Sequence, residues 1–78
     1  MASLVWVRIR EALAKRIGRN NYVSWIEPLV LQGLDEGVAT FEVPTNFFGD
    51  WIKRNFNDHI VALLQDEGLP VARLDFVL

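Results

Sequence analysis

Few side chains in this sequence have the type and spacing that catalysis requires. His59 is the only histidine, and it falls on the apolar face of a predicted helix with no acid placed to orient it. We therefore predict a structural, partly buried His59. The pairs Asp35-Glu36 and Asp66-Glu67 each precede a glycine, which is typical of turns rather than of spaced metal ligands.

Motifs for cofactor and metal chemistry are also missing from the sequence. Cysteine is absent, which excludes a disulfide framework and a thiolate metal site. There is no phosphate-binding loop, no dinucleotide fingerprint and no GxxG segment of the kind that clamps nucleic acid in KH modules. We expect no enzyme activity, no cofactor and no bound metal.

Phe47 is the side chain best placed to bind a partner. Phe47 and Phe48 are adjacent, so they cannot both face one core from a helix. At about 100° per residue, Phe47 lies about 150° from the centre of the stripe formed by Phe48, Ile52, Phe56 and Leu63. Exposed aromatic residues are favoured anchors in protein interfaces. The alternative is that Phe47 packs back onto a hairpin or onto Trp51.

A second apolar surface is predicted at the start of the chain. Leu4, Trp6 and Val7 make the first turn of a helix apolar on nearly every side. A tryptophan so near a terminus should be only half enclosed by its neighbours, so a partner could complete its burial. This pattern indicates either a dimer interface or packing under a sheet.

A helix over residues 3–17 must position that second surface. Ser3 is its predicted N-cap, and Gly18 is expected to close it in the left-handed conformation. Its core stripe repeats every four residues and comprises Val5, Ile9, Leu13 and Ile17.

A short second helix and a hairpin are predicted next. The helix begins at Asn20 or Asn21 and ends at Pro28, which should push Glu27 into an extended conformation. Strands over residues 29–34 and 38–43 follow. The turn between them is Asp35-Glu36-Gly37, in which Gly37 supplies a positive φ.

A long helix and a last strand complete the fold that positions Phe47. Thr45 is the predicted N-cap, and a break is expected near Asn55-Phe56-Asn57. Residues 71–78 alternate as a strand. The order ααββαβ predicts an α+β fold, with a three-stranded sheet packed against helices in a single domain spanning residues 1–78.

The net charge of −2 is unevenly distributed. Residues 1–25 contain five basic residues and one acid, a net charge of +4, whereas residues 26–78 carry −6. This basic segment is either a solvated helix face or a weak phosphate contact, and the pI of about 5.2 is low for a nucleic-acid binder. The basic residues are Arg8, Arg10, Lys15, Arg16 and Arg19.

The sequence contains no membrane signal. No apolar run approaches the roughly 18 residues needed to span a bilayer. Arg8 and Arg10 follow the start too soon for a secretory signal. We therefore expect a cytoplasmic protein without membrane contact.

Taken together, the aromatic and proline positions resemble the N-terminal domain, domain I, of the bacterial chromosomal replication initiator DnaA. The resemblance covers nearly all of the chain, and it is the combination of spacings that is specific. The matching positions are Trp6, Trp25-Ile26-x-Pro28-Leu29, the Pro44 that leads into a helix with Phe47, Asp50-Trp51-Ile52, and Leu74-x-Phe76.

The resemblance implies a KH-like fold and a protein-interaction module. In this family the domain joins initiators to one another at the origin, helps to recruit the replicative DNA helicase, and docks initiation regulators. It also implies that origin DNA binding and ATP hydrolysis belong to later domains, which are absent from this sequence.

The resemblance also assigns roles to individual positions. Trp6 and Val5 match the self-association patch, and Leu4 is added to it because it belongs to the same apolar first turn. Phe47 matches an aromatic residue used for helicase contact, and Asn21 a second partner-binding position where some members carry an acid.

Weak contact with single-stranded DNA is attributed in the family to the residues before the third helix. Some members have Pro-Asn-x-Phe there, whereas this chain has Pro44-Thr45-Asn46-Phe47. Thr45 and Asn46 are therefore candidate contacts with the asparagine displaced by one residue.

The competing hypothesis is a KH-like module that binds single-stranded nucleic acid through the basic residues of the first helix. A salt titration separates the two hypotheses. Phosphate contacts release counterions, so such binding would weaken steeply as salt is added.

Overall fold

Helices and strands follow one another in the order ααπββααβ. The structure is a computed structural model that describes residues 4–78, so the predicted N-cap Ser3 lies outside the described residues. The predicted α+β class, with a three-stranded sheet packed against helices, is confirmed. The elements are α1 (Leu4–Ile17), α2 (Arg19–Asn21), the π-helical turn π1 (Tyr22–Ile26), β1 (Val30–Asp35), β2 (Val38–Glu42), α3 (Asn46–Asn55), α4 (Asn57–Asp66) and β3 (Arg73–Val77).

The sheet is mixed, with β2 in its centre. β1 pairs antiparallel with β2, and β3 pairs parallel with the other edge of β2. Parallel strands need a long crossover, and the chain segment that contains α3 and α4 provides it. Both Glu36 and Gly37 have positive φ (50° and 80°) in the β1–β2 turn. The positive φ of Gly37 was predicted, and that of Glu36 completes a two-residue turn that matches the twist of the strands.

One face of the sheet packs against the helices to form the core. Ala39, Phe41 and Val43 point into this core, as their alternation predicts, and Leu74 joins them from β3. The largest fully buried side chains come from every layer: Ile9, Leu13, Ile26, Phe41, Ile52, Ile60, Leu64 and Leu74.

The buried stripe of α1 differs from the predicted one. Trp6, Ile9 and Leu13 are buried, whereas Val5 and Ile17 are only half-buried. The reason is geometric, because a strict repeat of four residues drifts by about 40° per step on a helix that turns about 100° per residue. Val5 and Ile17 therefore fall at opposite margins of the stripe.

The second helical segment begins and ends differently from the prediction. It begins at Arg19, directly after Gly18, whose φ of 91° is positive but whose ψ of 157° is not that of the left-handed helix. Glu27 stays helical (φ −56°, ψ −40°) rather than extended, because its N–H donates to the carbonyl of Tyr22 at 2.9 Å. This i to i−5 hydrogen bond makes π1 wider than an α-helical turn.

The third helix begins and breaks where the sequence predicts. The Thr45 hydroxyl accepts the N–H of Phe48 at 3.1 Å, which confirms the N-cap. α3 ends at Asn55, Phe56 leaves helical geometry (φ −125°, ψ 0°), and α4 begins at Asn57. The break resets the helical phase, so His59 is exposed and the prediction of a partly buried histidine is wrong.

Within residues 4–78, no helix combines the length and apolar character needed to cross a bilayer.

Candidate interaction surfaces

Phe47 projects from the first turn of α3 with 70% of its surface exposed. Its outward orientation, inferred from the helical projection, is confirmed. The alternative of packing onto Trp51 holds only in part, since the two ring centroids lie 6.5 Å apart at 35°. Phe47 thus touches a neighbour on one side and leaves most of its ring free.

Beneath Phe47 lies an aromatic cluster made of Trp25, Phe48 and Trp51. Trp25 stacks on Trp51 with ring centroids 4.8 Å apart and planes 20° from parallel. Trp25 also meets Phe48 at 5.1 Å. All three are half-buried and pack against the hydrophobic core. The cluster therefore links π1 to the start of α3, a contact between separate segments that no local pattern in the sequence predicts.

Asn21, the second predicted partner-binding residue, is exposed at the end of α2. Its side-chain amide donates to the carbonyl of Ile17 at 2.9 Å. Asn21 precedes Trp25 by four residues, just as Phe47 precedes Trp51 by four. Because Trp25 and Trp51 are stacked, both predicted partner-binding residues lie about one helical turn from the same pair of rings.

Thr45 and Asn46, the candidate single-strand contacts, are both exposed. The Thr45 hydroxyl is engaged as the N-cap of α3. Asn46 lines a shallow cleft with Asp50, Lys53 and Asp75. Two acids next to one lysine do not concentrate positive charge, so this cleft is poorly suited to a phosphate.

The predicted self-association patch is divided between surface and core. Leu4 is 78% exposed and Val7 45%, whereas Val5 is half-buried. Trp6 is only 2% exposed and packs against Phe41 with ring centroids 4.9 Å apart. The expectation that Trp6 is half enclosed is therefore wrong, because the sheet completes its burial. Its assignment to self-association stays a prediction, and the exposed part of the patch is Leu4 and Val7.

Two of the basic residues of α1 already have intramolecular contacts. Arg8 forms an ion pair with Glu67 at the end of α4. The hydrogen bond to Glu67, helped by the attraction of its negative charge, raises the pKa of Arg8. The guanidinium carbon of Arg10 lies 6.0 Å from the centre of the Tyr22 ring. Two of the five basic residues of residues 1–25 are thus engaged within the domain.

The polar side chains of the described residues do not cluster into a metal-binding group. Over residues 4–78, no three His, Asp or Glu side chains come together in a group that could hold a metal ion. His59 is exposed and lines a surface cleft whose other residues include Lys53, Arg54 and Asp58. The described residues instead leave apolar surface exposed at Leu4 and Phe47.

Comparison with known families identifies the chain. The profile of the DnaA N-terminal domain matches residues 3–66, and the chain belongs to this family. The match includes α1, the hairpin, α3 and α4, and therefore both Leu4 and Phe47.

Full-length relatives carry this domain as a small part of a larger protein. The chain is 63% identical, over all of its 78 residues, to the chromosomal replication initiator protein DnaA of Cereibacter sphaeroides, and covers 17% of that protein. It is 46% identical over 97% of its length to DnaA of Ruegeria sp. TM1040, covering 16% of it. It is 35% identical over 67% of its length to DnaA of Thermodesulfovibrio yellowstonii, covering 12%.

Proposed function

We propose that this domain joins replication initiator molecules to one another at a chromosomal origin and recruits the replicative helicase and initiation regulators. Membership of the DnaA N-terminal domain family supports a role in replication initiation, since the relatives are named as replication initiators. The observation that supports recruitment most directly is Phe47, a large aromatic ring left 70% exposed at a fixed position. Origin DNA binding and ATP hydrolysis are assigned to other parts of a full-length initiator.

Phe47 has the features of a pre-organised anchor. It lies in the first turn of α3, whose start is fixed by the Thr45 cap. Its backbone therefore needs no reordering when a partner binds, which reduces the entropic cost of association. Aromatic side chains presented in this way are enriched among the residues that dominate binding energy.

Self-association is proposed to use the exposed start of α1. Leu4 and Val7 offer apolar surface with Val5 partly exposed beside them. A patch this small should give only weak binding between isolated domains. Several initiators held side by side on an origin raise the effective concentration of each patch, so weak contacts become a stable assembly.

The first prediction is that the two surfaces can be impaired separately. Phe47→Ala should weaken binding of the cognate replicative helicase about tenfold or more, a usual effect for an aromatic anchor. Leu4→Ala should leave helicase binding unchanged and lower self-association. Titration calorimetry measures the first effect, and sedimentation velocity over a range of domain concentrations measures the second.

Phe47→Ala and Leu4→Ala serve as controls for each other. Both side chains are at least 70% exposed, so neither change should lower the unfolding temperature appreciably. Unchanged helicase affinity in Phe47→Ala, with folding intact, would overturn the recruitment role. A wild-type domain that stays monomeric at millimolar concentration would overturn self-association.

A further inference from the structure

The contact between Trp25 and Trp51 lies directly behind Phe47. Trp51 stacks on Trp25 with ring centroids 4.8 Å apart and contacts Phe47 at 6.5 Å. Trp51 therefore touches the exposed ring on one side and a half-buried ring on the other. Among the described residues, the ring of Trp51 is the aromatic neighbour of Phe47.

The indole N–H of Trp51 makes tryptophan an unfavourable residue at this position. Its indole Nε1 is buried and has no acceptor within the described part of the chain. A buried donor without a partner is unfavourable, and phenylalanine at this position would avoid that cost. What tryptophan adds over phenylalanine is ring area, and that area contacts both Trp25 and Phe47.

The exposed ring needs such support. An exposed phenylalanine at the start of a helix can occupy more than one staggered χ1 position. Side chains four residues apart lie on the same helical face, so the Trp51 ring limits the space available to Phe47. Trp25, which lies in π1 on a different part of the chain, stacks on Trp51 and so limits the space available to it.

We propose that Trp51, supported by its stack on Trp25, is a positioning residue that holds Phe47 in the outward orientation needed for partner binding. This inference rests on the proposed recruitment function. Asn21 lies four residues before Trp25, so the stacked pair also connects the segment of Asn21 to that of Phe47.

The test compares two conservative changes in the aromatic cluster. Trp51→Phe shortens the ring that contacts Phe47 and removes no hydrogen bond found in the described structure. It should weaken helicase binding about three- to tenfold, the cost of ordering one more side chain on association. Phe48→Leu, which loses packing against Trp25 instead, serves as the matched control and should leave the affinity within about twofold, a shift of less than half a kcal/mol.

A double-mutant cycle with Phe47→Ala identifies the route of the effect. If Trp51 acts through Phe47, then Trp51→Phe should cause no further loss once Phe47 is alanine. Equal losses in both backgrounds would overturn the positioning role, and so would equal losses in Trp51→Phe and Phe48→Leu.

A measurement on the free domain separates this inference from the proposed function. Three-bond scalar couplings report the χ1 populations of Phe47, and Trp51→Phe should shift them towards rotamer averaging. Unshifted couplings overturn the inference even if Phe47→Ala abolishes recruitment. Shifted couplings support it even if Phe47→Ala shows that the helicase is not the partner.

Discussion

Gly49 lies where α3 packs closely against the sheet. It is buried, and a Cβ added there would lie 3.1 Å from the Cβ of Phe76 and 3.4 Å from Cγ2 of Val43. The Cβ of Phe76 is fixed to the β3 backbone and cannot move aside by a rotamer change. The absence of a side chain at Gly49 thus permits the close approach of α3 to β3.

At the residue scale, we predict that Gly49→Ala destabilises the domain. The gain in helix propensity, about 1 kcal/mol, is outweighed by an overpacking cost of about 1–3 kcal/mol. Gly33→Ala is the control, since a Cβ there meets nothing within 4 Å, and it should be neutral or slightly stabilising. Urea unfolding followed by circular dichroism measures both, and a Gly49→Ala domain as stable as wild type would contradict the prediction.

Three aromatic or polar positions show how far sequence patterns reach at this scale. The orientation of Phe47 followed from helical projection, because its own helix decides it. The burial of Trp6 depends on Phe41, which lies 35 residues further along the chain. The exposure of His59 depends on the phase change at Phe56. The burial of Trp6 is a tertiary effect and the phase change at Phe56 is a local irregularity. A periodic sequence pattern contains neither.

At the element scale, α3 depends on a single side-chain cap. The Thr45 hydroxyl accepts the N–H of Phe48 at 3.1 Å, which satisfies one of the free donors of the first turn. Phe47 lies within that turn. A frayed start of α3 would therefore move the proposed anchor before it affected the core.

We accordingly predict that Thr45→Ala lowers the free energy of unfolding by about 1 kcal/mol, the usual value for loss of such a cap. Thr45→Ser retains the hydroxyl and should therefore keep most of the free energy of unfolding that Thr45→Ala loses. Amide hydrogen exchange should show faster exchange at Phe48 in the alanine variant only. Equal stability and exchange in both variants would mean that the cap is not needed.

The boundaries of most elements follow from local signals, and the exceptions are instructive. The hairpin, the cap and the break at Asn55–Asn57 each have a signature in adjacent residues. The π-helical turn does not, because Tyr22 and Trp25 show an ordinary i, i+3 spacing. The stack of Trp25 on Trp51 joins π1 to α3 and therefore could not be found by reading either segment alone.

At the scale of the whole molecule, one ion pair links the first helix to the end of α4. Arg8 and Glu67 are 59 residues apart in sequence and bond at the surface. Exposed pairs are generally weak and are screened by salt. Because the pKa of Arg8 is raised, the contribution of the Arg8–Glu67 ion pair to stability is lost only as pH rises through strongly alkaline values. Arg8 therefore stays charged throughout about pH 6 to 9.

We predict that Arg8→Gln lowers the unfolding temperature slightly in low salt and much less in 1 M salt. The difference between variant and wild type should be constant between about pH 6 and 9, since Arg8 does not titrate there. The exchanged pair Arg8→Glu with Glu67→Arg is the control and should recover part of the loss. A loss that is independent of salt would show that Arg8 acts through packing instead.

The parallel pairing of β3 with β2 also has a consequence for biosynthesis. Thirty-five residues separate the end of β2 at Glu42 from the end of β3 at Val77. At about 5–20 residues per second, a ribosome needs about two to seven seconds to add them. During that interval the edge of β2 that later pairs with β3 has no partner. Phe41 also lacks the Phe76 ring that later stacks on it, with ring centroids 6.0 Å apart. While it is being synthesised, the domain therefore carries an open strand edge of the kind that pairs readily with other chains.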